Sequence, residues 1–107
     1  MSQNRIEILT QFIQKDPKDS FARFGLAMEY ARLDEADKAL EHFRILREIN
    51  PNYIPAYFQA GKLLAKIGQR DEARKILDEG IGAAGRVGDL HAKSEMEAEL
   101  SELLRIA

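Results

Sequence analysis

The side chains that could do chemistry are few, and their spacing decides what chemistry that would be. His42 and His91 are the two histidines. Neither belongs to a ligand pattern such as paired histidines with an intervening glutamate. His91 and Glu95 have i,i+4 spacing and would share a helix face, but two ligands without a third do not make a metal site. Solvent-exposed histidines are therefore expected, with no metal and no cofactor. Glu95, Glu97, Glu99 and Glu102 crowd one segment. A catalytic carboxylate pair needs a pocket that shifts its pKa values, and these four lie opposite Met96, Leu100 and Leu103 on what reads as a solvated helix face. Ser2, Ser20, Ser94 and Ser101 lack the His and Asp context that activates a hydroxyl. Gly80, Gly82, Gly85 and Gly88 lack the Lys and Ser or Thr of a phosphate-cradling loop. With no Cys in the chain, thiolate nucleophiles, thiolate metal sites and disulfides are excluded together. The expectation is a protein that is not an enzyme.

The elements that would position these residues follow from composition and period. A chain of 107 residues, 45% hydrophobic and 32% charged, can fill one core and coat one surface. A single domain over 1–107 is expected. Sixteen Lys and Arg against eighteen Asp and Glu, with no basic block, argue against nucleic acid. No apolar run reaches the length of a secretory signal or a membrane span, so a cytoplasmic protein without membrane contact is expected.

Asp16-Pro17 and Asn50-Pro51 place two prolines 34 positions apart, each closing a helix. Between them lie two amphipathic stretches, Phe21 to Leu33 and Ala36 to Ile49, parted by Asp34-Glu35. In the second, Ala39, Phe43, Leu46 and Ile49 share one face of a 3.6-residue helix. The pattern recurs from Ile54 to Ile67, breaks at Gly68, where a left-handed turn can end a helix, and resumes at Asp71 with Ala73, Ile76, Leu77 and Ile81. Before Pro17, Ile6, Leu9, Phe12 and Ile13 form another helical stripe. After the glycines, Met96, Leu100, Leu103, Leu104 and Ala107 form a last one, with Asp89 as its N-cap. Helix is expected through Ala83-Ala84 despite the glycines, and no alternating β pattern competes. The fold class is all-α.

This spacing resembles the tetratricopeptide repeat family, as a small bacterial-type two-repeat member. The first repeat carries Leu26-Ala27, Tyr30, Ala39, Phe43 and Pro51 at the family's positions, with Arg23 in the place of its Trp. The second carries Tyr57 in the Trp place, then Ala60-Gly61, Leu64, Ala73 and Leu77, with Gly85 in place of the closing Pro. The resemblance implies a right-handed superhelical array of antiparallel helix hairpins, about six helices in all. It is divided into a half-repeat helix at 4–16, repeats at 20–51 and 54–85, and a capping helix at 89–106.

In this family the first helices of successive repeats line a concave groove that takes partner segments. By helical phase, the residues left for that role are Phe21, Phe24, Met28 and Arg32, then Phe58, Lys62, Ala65 and Lys66, an apolar strip with a basic edge. One reading is a groove for a peptide with apolar anchors and an acidic residue. The other is that the last helix or neighbouring loops cover Phe24 and Met28 while Lys62 and Lys66 are merely solvated. The carboxylate clamp of some relatives needs Lys and Asn on the opening helix of the first repeat. Phe24 and Met28 stand there, and Gln59 alone does not restore it. The expected partner is a protein or peptide bound in a scaffold or adaptor role. The alternative is a homodimer formed through the groove or the last helix, since two repeats are few for a stable stack.

Overall fold

The computed structural model describes residues 2–105, with side chains from Asn4 onward. Six helices follow one another: α1 (Ser2–Lys15), α2 (Ser20–Arg32), α3 (Ala36–Ile49), α4 (Ile54–Lys66), α5 (Arg70–Val87) and α6 (Leu90–Arg105). No strand occurs among the described residues. Ala107, expected on the apolar stripe of the last helix, lies outside the described residues, as does Ile106. The chain divides into two compact units, one ending at Tyr53 and the other beginning at Ile54.

In the first unit α2 packs against both α1 and α3. Leu9 of α1 meets Ala22 and Leu26 of α2, and Ile6, Ile13 and Tyr30 close around them. On the α3 side, Ala27 and Ala39 are fully buried beside Phe43 and Leu46. Small side chains at these points let the two helices approach closely. Both proline turns are built alike: the Asp19 amide donates to the Asp16 carbonyl, and the Tyr53 amide donates to that of Asn50, each at 3.0 Å. Asp19 then caps α2, its Oδ1 accepting from the Ala22 amide at 2.9 Å.

The turn between α2 and α3 uses a backbone conformation that side chains seldom adopt. Asp34 has φ of 61°, in the left-handed region. The Asp34 amide donates to the Ala31 carbonyl and the Glu35 amide to that of Tyr30, which satisfies the last carbonyls of α2. Gly68 performs the same turn after α4, with φ of 85° and matching bonds to Ala65 and Leu64. Asp34 and Gly68 are 34 positions apart, so the repeat includes its turn geometry as well as its apolar pattern.

In the second unit α5 packs against α4 and α6. Tyr57, Ala60, Leu64, Ala73, Ile76, Leu77, Met96 and Leu103 make its core. Two glycines are required for contact. A Cβ on Gly61 would lie 2.6 Å from Leu77 Cδ2, and one on Gly80 would lie 2.5 Å from Tyr57 Cβ and 2.6 Å from Met96 Sδ. α5 runs beyond Ala84, through Gly85, to Val87, and ends at Gly88 with φ of 77°. Asp89 caps α6 as expected, accepting from the Ala92 amide at 3.0 Å.

Candidate protein-binding faces

Each unit presents its own face on its first hairpin helix. On α2, Phe21 stands 79% exposed. Phe24, one turn on, is half-buried: its ring centroid lies 6.0 Å from that of Phe43 and 5.5 Å from that of Tyr53, both tilted. The loop residue Tyr53 thus covers part of Phe24. Met28 is also half-buried.

Arg32, at the far end of this face, is exposed but engaged. Its Nε and Nη2 donate to Glu29 Oε2 at 3.2 and 2.5 Å, and Arg5 Nε of α1 lies 3.3 Å from Glu29 Oε1. The Glu29 side chain is only 8% exposed, so a buried carboxylate ties α1 to the end of α2. The hydrogen bond to Glu29 and its charge hold the Arg32 pKa above the ordinary arginine value. Arg32 is therefore a cation already matched within its own unit.

On α4, Phe58 is half-buried, and the Lys62 ammonium lies 4.8 Å from its ring centroid, within cation–π range. Lys66, one turn later, is exposed, and Ala65 beside it is half-buried. One exposed ammonium group, that of Lys62, borders a partly open aromatic ring.

The structure corrects the sequence reading of the first histidine. His42 is half-buried rather than solvent-exposed, its ring stacked on Tyr30 at 5.7 Å and 7°. Its Nδ1 is 3.2 Å from Nη1 of Arg23, whose Nη2 donates to the Pro17 carbonyl at 3.2 Å. Burial, reinforced by the Arg23 charge and opposed by Glu41, lowers the His42 pKa from the ordinary 6.5. Arg23 itself is 8% exposed. Position in the repeat was the one signal for it, since a residue in the place of the family's Trp is expected to point inward. His91 is exposed, with Nε2 3.6 Å from Glu95 Oε1. Among the described residues no three His, Cys, Asp or Glu side chains converge on one point. Glu95, Glu97 and Glu102 are exposed, and Met96 and Leu103 opposite them are buried.

Comparison with known proteins decides the family. The tetratricopeptide repeat profile matches residues 31–93, more than half of the sequence. The chain belongs to the tetratricopeptide repeat family. It is 30% identical over 76 residues to anaphase-promoting complex subunit 3 of Dictyostelium discoideum, a match that covers 71% of this chain and 8% of that protein. The chain thus spans under half the length of the curated relatives it matches. The tetratricopeptide repeat domain protein of Salinibacter ruber, solved by NMR, is 33% identical, with a TM-score of 0.77 over 82% of this chain and 89% of that one. The TPR2B domain of yeast Sti1, solved in complex with pHsp70, superposes with a TM-score of 0.90 over 99% of this chain and 85% of that one. At 18% identity that likeness is one of fold. The tetratricopeptide repeat is generally a protein-interaction fold. Among the described residues no helix is long and apolar enough to cross a membrane.

Proposed function

We propose that this tetratricopeptide repeat chain is a non-enzymatic adaptor that binds peptide or protein segments on two helix faces, the outward part of α2 in the first unit and that of α4 in the second. The observation that carries this reading is Phe21, an aromatic left 79% exposed on a helix that has otherwise buried or half-buried its large apolar residues. Isolated exposed apolar residues are ordinary, but Phe21 adjoins half-buried Phe24 and Met28 in sequence and phase, which makes a graded apolar surface. On α4 the Phe58 ring and its Lys62 cation suit an apolar anchor next to a carboxylate. The Sti1 domain, which shares the fold, was solved with a bound partner, and this supports the same use of the helices here.

A selection from a random peptide display library, with the whole chain as bait, tests the proposal. Selected peptides should carry an aromatic or aliphatic anchor and an acidic residue, and should lose at least tenfold in affinity against Phe21→Ala or Lys62→Ala, about 1.4 kcal/mol. Peptides indifferent to both substitutions would overturn it.

A second reading is self-association through α6, motivated by Leu90 at 69% and Leu104 at 49% exposure on that helix. Light scattering across a wide concentration range separates the two, because a mass that doubles with concentration and reverts on Leu104→Glu favours the homodimer.

A further inference from the structure

Arg23 and His42 make a contact that only one protonation state of the histidine allows. A guanidinium has five N–H donors and no acceptor. With Nη1 of Arg23 at 3.2 Å from Nδ1 of His42, the histidine nitrogen must therefore be the acceptor, bare of its proton. The ring is then neutral and carries hydrogen on Nε2. A proton added to Nδ1 would remove the lone pair that accepts this bond and place a second cation against a guanidinium that is 8% exposed.

We infer that the Arg23–His42 pair is an acid-sensitive latch on the first helix hairpin: intact while His42 is neutral, and broken when His42 takes up a proton. The pair joins three pieces of chain. Arg23 belongs to α2, His42 to α3, and the second amino group of Arg23 holds the Pro17 carbonyl in the turn between α1 and α2. Little in the surroundings can absorb the added charge. From α2 the His42 ring meets Tyr30, stacked on it, and Arg23. From its own helix, Glu41 is the neighbouring anion that favours the proton, but Glu41 is exposed and bonded to Arg44 at 2.6 Å. Lys38 lies over the Tyr30 ring at 5.4 Å and is itself paired with Glu35 at 3.0 Å. Arg23 Nε is buried without a hydrogen-bond partner, so the guanidinium is held by its bonds to His42 and the Pro17 carbonyl.

The direction of the pH effect follows. A histidine whose folded pKa is lowered leaves the unfolded chain holding more protons than the folded one at mildly acid pH. The stability supplied by the latch is complete above the ordinary value of 6.5 and is lost as pH falls from there through the folded value. The latch acts on the unit that carries Phe21 and Phe24, but it does not depend on what those residues bind.

Nitrogen-15 NMR of the whole chain tests it. His42 should show the Nε2–H tautomer near neutral pH and should titrate below the ordinary histidine value of 6.5. Heat-unfolding midpoints should fall as pH is lowered from about 7.5 to about 5. Most of that fall should disappear in His42→Asn, which keeps an acceptor near the Nδ1 position but cannot take the proton, and should persist in His91→Asn. An Nδ1–H tautomer, a His42 midpoint at or above 6.5, or an unchanged pH dependence in His42→Asn would each overturn the latch.

Discussion

Single side chains carry most of what is particular to this repeat protein. Phe21 is so exposed that Phe21→Ala should alter stability by no more than about 0.5 kcal/mol, as surface substitutions do, while weakening peptide binding. Phe24→Ala should differ, because Phe24 packs on Phe43 and Tyr53, and a loss of about 1–3 kcal/mol is expected by chemical denaturation. A Phe21 variant that unfolds as readily as the Phe24 variant would contradict the assignment of one to the surface and the other to the packed aromatic cluster. Asp34 offers a third case. It holds a left-handed conformation that Gly68 holds without strain at the equivalent turn, so Asp34→Gly should stabilise the chain by about 0.5–1 kcal/mol. Of these features, the exposure of Phe21 was legible from helical phase alone. The covering of Phe24 was not, because Tyr53 sits in a turn where no period indicates direction. Nor was His42, since a histidine beside Glu41 in a stretch of mixed polarity gives no sign of a buried cation to receive it. Arg23 was half-legible: the repeat alignment put it where an inward residue belongs, but its charge argued for the surface.

At the scale of elements, the helices were legible in number and order because apolar residues recur at helical spacing and because Pro17, Pro51 and Gly68 punctuate them. The end of α5 was harder to place, since four glycines between 80 and 88 argued for a break and the helix continues to Val87. The structure sorts those glycines. Gly80 is held by contact, and so is Gly61 on the facing helix, so Gly80→Ala and Gly61→Ala should destabilise the second unit. Gly85 has nothing within 4 Å of an added Cβ, and Gly82 has only the mobile end of Arg86 at 3.9 Å. Gly82→Ala and Gly85→Ala should therefore each stabilise α5, by up to about 1 kcal/mol. Thermal unfolding of the four variants checks the division, and equal effects at all four positions would contradict it.

For the molecule as a whole, two helical units each keep one hairpin helix partly open, α2 in the first and α4 in the second. The fold belongs to a family generally used for protein interaction, and the sequence reading expects no carboxylate clamp, because Phe24 and Met28 stand where the resemblance puts its Lys and Asn. On the proposed reading, binding rests on apolar anchoring at α2 and on the cations Lys62 and Lys66 at α4, Arg32 being matched by Glu29. Peptide binding should consequently weaken only modestly with added salt, because few charges are neutralised and screening acts on those few. The measurement that tests this account most directly is amide chemical-shift mapping of the whole chain titrated with a selected peptide. The account predicts that the largest shifts fall on the face of α2 around Phe21, Phe24 and Met28 or on that of α4 around Phe58, Lys62 and Lys66. Shifts confined to α6, or to the outward side of α3 and α5, would contradict it.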